Sequence, residues 1–114
     1  MDLPAHRLND DIAVAPQLTP AAMAEVARAG FKSVINNRPD FEAGPSQPTN
    51  ADIEAAARAA GLEYAFLPVA SGFQTVEQAQ AMAELMERLP KPVLAFCRSG
   101  TRSGRLYMMA CQLG

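Results

Sequence analysis

The sequence predicts an α/β domain: a three-layer sandwich with a central, mainly parallel sheet of four to five strands. Three observations carry that expectation. Short apolar runs alternate with alanine-rich amphipathic segments in the order βαβαβαβα, and capping residues, glycines and prolines mark the junctions. The run "VLAF" has no polar partner on either face, as a strand buried on both sides of a parallel sheet requires. The length, 114 residues, suits one domain able to bury roughly two-thirds of its unfolded surface, so residues 1–114 are read as a single unit.

Each element has a local reason. "IAVA" (Ile12 to Ala15) is a short strand, and "TPAAMAEVARAG" is a helix with Thr19 as N-cap, Pro20 in the first turn and Gly30 as its stop. "FKSVIN" (Phe31 to Asn36) is a buried strand. It runs into "NRPDFEAGPSQPTN", whose three prolines and one glycine make a loop. A connection from Asn36 to Asn50 is long for so small a domain, which makes it a candidate wall of an active site. "NADIEAAARAAG" is a second helix, with Asn50 expected as its cap and Gly61 as its end. The strand "LEYAFLPV" (Leu62 to Val69) follows, then "ASGFQ". Thr75 and Gln78 stand at capping-box spacing before a helix whose stripe of Met82, Leu85, Met86 and Leu89 reads as core. Pro90 and Pro92 end it. After "VLAF" (Val93 to Phe96) and a short loop, the last helix is expected to begin near Ser103, with Cys111 buried in its apolar pattern.

Composition excludes several classes. A net charge of −2 and a pI near 5.3 give no global attraction to nucleic acid or an anionic membrane. The N-terminal "MDLPAHRLNDDIAVAPQ" has no basic start followed by an apolar stretch, and no run approaches the ~20 residues needed to span a bilayer. A cytoplasmic location is expected. Two cysteines are too few for a disulfide framework, no Cys/His set has metal-ligand spacing, and the glycine pattern lacks the phosphate-loop lysine and the dinucleotide fingerprint. No metal or cofactor is expected. His6, the only histidine, reads as a surface residue.

The chemistry concentrates in "FCRSGTRSG". Cys97 follows the central strand, where open α/β sheets gather ligands at the carboxyl ends of their strands. Backbone N–H groups of Arg98, Ser99, Gly100 and Thr101 can converge as a nest, with the positive end of the next helix beneath them. That field lowers a cysteine pKa from about 8.5 toward ~4–7, so Cys97 is the candidate nucleophile. Gly100 permits a positive φ, Arg102 suits bidentate contact with an oxyanion, Arg98 adds charge, and Ser103 is expected to hydrogen-bond the sulfur. Arg38, at the strand end in "NNRPD", and Asp40 are candidate pocket-wall residues. Asp40 and Glu42 would be placed to act as acids if their loop folds over Cys97, and are otherwise read as an exposed pair in a polar loop.

This loop and its setting resemble the architecture shared by rhodanese sulfurtransferases and cysteine-dependent phosphatases. From "DIAVAPQL" through "INNRPD", "LPV" and "FCRSGTRS", the chain more closely resembles the bacterial DUF442 family, the phosphatase-like domain of beta-lactamase hydrolase-like proteins, also labelled a sulfur transferase family. The resemblance implies a cysteine phosphatase-like fold with Cys97 as nucleophile. Relatives in the family it resembles can be fused to, or encoded beside, a metallo-beta-lactamase-like or sulfide-oxidising partner.

Two features tilt the expected reaction toward sulfur. The phosphatases resembled here place five residues between cysteine and arginine, whereas four lie between Cys97 and Arg102. Each residue supplies one N–H and up to ~3.5 Å of contour, so a shorter loop suits a persulfide better than a tetrahedral phosphate. Those phosphatases also carry an aspartate after the third strand, where this chain has Ala70-Ser71-Gly72-Phe73-Gln74. The expected function is therefore a rhodanese-like sulfurtransferase. It would form a persulfide on Cys97 from thiosulfate or another sulfane donor, whose oxyanion is held by the loop amides, Arg98 and Arg102. The alternatives are a phosphoester hydrolase working through a phosphocysteine, and a non-catalytic anion-binding or docking module.

Overall fold

The computed structural model describes residues 3–113. Five strands form one sheet: β1 (His6–Arg7), β2 (Ile12–Ala15), β3 (Ser33–Asn36), β4 (Glu63–Phe66) and β5 (Val93–Phe96). Their spatial order is β1-β2-β5-β3-β4. Only β1 runs antiparallel, to β2; every other pairing is parallel. The helices are α1 (Met23–Arg28), α2 (Asn50–Ala59), α3 (Val76–Arg88) and α4 (Thr101–Leu113), with a 3-10 turn over Pro20–Ala22 leading into α1. The mainly parallel sheet and flanking helices are those expected. β1 is the addition: two exposed residues are too few to show a period.

Alternation along the central strands builds two cores. Ala13, Ala15, Val34, Leu94 and Phe96 face the layer of α1 and α2, where Met23, Val26, Ile53 and Ala57 cover them. Ile12, Ile35, Val93 and Ala95 face the layer of α3 and α4, against Ala79, Met82, Met86, Leu106 and Ala110. Burying a central strand on both sides explains why "VLAF" lacks a polar residue. The methionine stripe of α3 is core, as its spacing predicts, and the Thr75–Gln78 capping box is complete.

Several boundaries differ from the sequence reading, each for a local reason. Thr49, not Asn50, caps α2: its hydroxyl accepts from Asp52 N at 3.2 Å, while Asn50 Oδ1 accepts from the Tyr64 hydroxyl. Helix α4 starts at Thr101, because Gly104 N already donates to Gly100 O at 3.0 Å. Cys111 is exposed rather than buried. The inward positions of α4 are Arg102, Ser103, Leu106 and Ala110, and Cys111 falls one residue beyond that row.

Register determines what meets at the carboxyl edge of the sheet. Phe96 lies level with Ala15 on one side and Asn36 on the other, and Asn36 is level with Phe66. The residues that follow these ends therefore emerge together. Cys97 N donates to Ala15 O at 3.3 Å, Asn37 N to Phe96 O at 2.8 Å, and Gln17 N to Arg98 O at 3.2 Å.

Candidate active site

Cys97 is fully buried beneath its own loop. Gly100 N–H points at the sulfur, 3.1 Å away. Gly100 has φ 92°, and a Cβ there would lie 3.4 Å from the backbone C and O of Ala15. Glycine is favoured by the left-handed conformation, while the space over β2 would leave a Cβ in ordinary contact with Ala15. Burial alone would raise the Cys97 pKa. Against it act the N–H groups of Ser103 and Ser99, the Ser103 hydroxyl and the Gly100 N–H, and the balance lowers the pKa below the ordinary thiol value. The Ser103 hydroxyl has a single proton to give, and here it donates to Asn37 Oδ1 at 2.8 Å. The same oxygen lies beside the Cys97 sulfur, so its proton can serve either acceptor.

Arg102 is 7% exposed and already engaged. Its Nη1 donates to Glu42 Oε2 at 2.8 Å and to Val69 O at 2.9 Å, and its Nη2 donates to Glu42 Oε1 at 2.9 Å. A guanidinium has five N–H donors, and these bonds use three of them. Nε–H and the second Nη2 hydrogen have no recorded acceptor among the described residues, and they form the parallel pair on the side edge of the group. That edge is the fork that binds an oxyanion bidentately.

Glu42 is the residue the sequence reading undervalued. Its side chain is 24% exposed, yet both oxygens are occupied, since Oε1 also accepts from Arg38 Nε at 2.9 Å. The Arg102 hydrogen bonds, helped by Arg38, outweigh partial burial and hold its carboxyl below the ordinary range. The loop after β3 therefore does fold over the Cys97 loop, and the picture of a free exposed acid is wrong for Glu42. Gln47 braces that loop internally, donating to Pro39 O at 2.8 Å and accepting from Ala43 N at 2.9 Å.

Two adjoining hollows of about 390 Å³ each open here. One is lined by Ser71, Gly72, Arg98, Ser99, Thr101, Arg102 and Arg105, and the other adds Arg38, Glu42 and Ala43 to Ser71, Arg98 and Arg102. Arg38, Arg98, Ser99 and Thr101 thus lie where expected. Asp40 does not line the cleft: its Oδ1 accepts from Asn50 N at 2.7 Å, at the start of α2. A carboxylate gains more beside those free helix N–H groups than facing solvent. Arg105, one turn after Thr101, is a further cation of the cleft, and its only mark in the sequence is its place after Arg98 and Arg102. Ser71 and Gly72 confirm that the loop after β4 reaches the site and brings no carboxylate to it. Among the described residues no cluster of His, Cys, Asp or Glu suits a metal ion.

A buried cysteine after the central strand, ringed by amide donors and followed by an arginine at the next helix start, defines a cysteine-phosphatase-like α/β domain. Within that class, residues 5–113 match the family model for the beta-lactamase hydrolase-like protein phosphatase-like domain, and the chain belongs to that family. It is 39% identical over 105 residues to the beta-lactamase hydrolase-like protein of Agrobacterium fabrum, covering 92% of this chain and 24% of that protein. The chain thus spans about a quarter of the length of the curated relatives it matches. Among solved structures, a phosphatase candidate from Neisseria meningitidis is 33% identical, covering 93% of this chain and 75% of its own, with a TM-score of 0.85. A DUF442 phosphatase candidate from Shewanella putrefaciens shares the fold at 20% identity, with coverage of 95% and 67% and a TM-score of 0.78.

Proposed function

We propose that this domain is a cysteine-dependent phosphoester hydrolase acting through a phosphocysteine at Cys97. The observation that carries the reading is Arg102, held by Glu42 and Val69 with two parallel donors to spare, lining both hollows at the loop whose N–H groups wrap the Cys97 sulfur. The Cys97 thiolate attacks phosphorus, the ester P–O bond breaks, and its electron pair leaves on the ester oxygen. Water then attacks the phosphocysteine, the S–P bond breaks, and the pair returns to sulfur as phosphate and a proton depart. Arg102, the loop amides and the charge of Arg98 stabilise the equatorial oxygens in both steps.

Phosphate now ranks above the sulfane sulfur favoured by loop length. Counting residues between Cys97 and Arg102 treated them as the whole cradle. Arg38, Ser71 and Arg105 also line it, and a hollow of about 390 Å³ is ample beside the ~30 Å³ share of a water molecule. The phosphatase-like family supports the same choice. Sulfur transfer keeps one observation in its favour, since it needs no proton donor and the cleft offers no neutral acid among the described residues. The test is phosphate release from an aryl phosphate by wild type and Cys97→Ser. The reading expects release that the substitution abolishes; sulfur loading from thiosulfate without any such release overturns it.

A further inference from the structure

A third hollow, about 430 Å³, adjoins the anion cleft and differs from it in chemistry. It is lined by Leu8, Gln74, Thr101, Gly104, Arg105, Met108 and Met109, and Thr101 and Arg105 line the anion cleft as well. Thr101, Gly104, Arg105 and Met108 follow the three- and four-residue spacing of one face of α4, so the hollow runs along that helix away from Cys97. With ~1.5 Å of rise per residue, Met108 stands about 10 Å beyond Thr101. Met108 is 57% exposed and Leu8 38%, and Phe73, beside Gln74 in the chain, is 67% exposed. Gly104 leaves the floor open, since a Cβ there would meet nothing within 4 Å. The Gln74 amide nitrogen is buried with no hydrogen-bond partner among the described residues, a donor that an acceptor on an occupant would satisfy.

We infer that this hollow is the leaving-group subsite of the hydrolase, and that the substrate is an aryl phosphoester whose apolar body extends along α4 toward Met108. The inference rests on the phosphoester reading above. Two independent observations support it. The hollow shares Thr101 and Arg105 with the anion cleft, so the two adjoin along the first turn of α4. And the cleft holds no neutral acid among the described residues, because Glu42, its one carboxylate, is locked to Arg102 and Arg38. An ester oxygen must then leave as an anion, which an aryl oxide does far more readily than an alkoxide.

The test compares kcat/KM for phenyl phosphate and 2-naphthyl phosphate, whose leaving groups have similar acidity but different apolar bulk. Wild type should prefer the naphthyl ester by about tenfold, the factor that one or two buried methylene equivalents provide. Gly104→Leu, which fills the floor, and Met108→Ser, which removes an apolar wall, should each erase the preference and leave phenyl phosphate turnover unchanged. Equal kcat/KM for the two esters in wild type, or a preference that survives Gly104→Leu, overturns the subsite while the phosphoester reading stands. Absence of Cys97-dependent release from either ester removes that reading and the subsite together. A wild-type dimer at assay concentration that Gly104→Leu converts to a monomer assigns the hollow to a second copy instead.

Discussion

Cys97 and Glu42 are the two residues whose ionisation the site manages, and both are held toward the charged form by hydrogen bonds rather than by open solvent. For Cys97, burial and the amide donors oppose each other, and the donors prevail. Its alkylation by iodoacetamide, followed against pH, should therefore reach half its plateau below the ~8.5 of a free thiol, although the covered sulfur keeps the plateau rate low. Rates that rise only near that value would contradict the lowered pKa. Glu42 acts on Arg102 from behind. Glu42→Gln can keep a hydrogen bond but not the charge, and it loosens the guanidinium, so kcat/KM should fall by roughly tenfold to a hundredfold with the folded spectrum intact. The sign of its pH dependence follows from a carboxyl pKa lowered on folding. The stabilisation is present above the ordinary value of about 4.3 and is lost as pH falls through the lower folded value. The gap in melting temperature between wild type and Glu42→Gln should accordingly close in acid and persist at neutral pH.

The elements that carry these residues were legible to different degrees. The run "VLAF", the capping box of α3 and the glycine stop after α1 announce themselves, because burial on two faces, a reciprocal side-chain cap and a left-handed turn each leave a local pattern. Glu42 did not, since its role comes from a loop folding across 60 positions of sequence to reach Arg102, and a polar loop has no period to read. Asp40 was misplaced for the same reason: two acids in one loop look alike until one meets a helix start and the other an arginine. Gly100 was legible as a turn, and its φ of 92° is left-handed as the turn requires. Gly100→Ala should cost about 1–2 kcal/mol of stability through its positive φ, and should lower turnover further by lifting the amide away from the sulfur. Thermal melting and aryl phosphate hydrolysis measure the two parts separately. The loop after β4 offers the converse experiment. Ser71 lines the cleft, so Ser71→Asp places a carboxyl where a leaving group needs a proton. It should raise turnover of alkyl phosphates proportionally more than that of aryl phosphates. Equal effects on both would show that the new group does not act as an acid.

At the scale of the molecule, the sheet brings one cation-rich patch to a chain whose net charge is −2. Arg38, Arg98, Arg102 and Arg105 come from two loops and one helix start, and they converge because β3 and β5 end level with each other. Binding of anions at this edge should therefore weaken with salt even though the whole molecule repels them weakly. None of the described helices is long and apolar enough to cross a membrane. The most direct test of the account is intact-protein mass spectrometry of the acid-quenched enzyme during turnover of an aryl phosphate, beside a sample exposed to thiosulfate. A phosphoryl adduct mapped to Cys97 and absent from Cys97→Ser is the predicted result. A sulfur adduct on Cys97 from thiosulfate, with no phosphoryl adduct and no phosphate released, would contradict it.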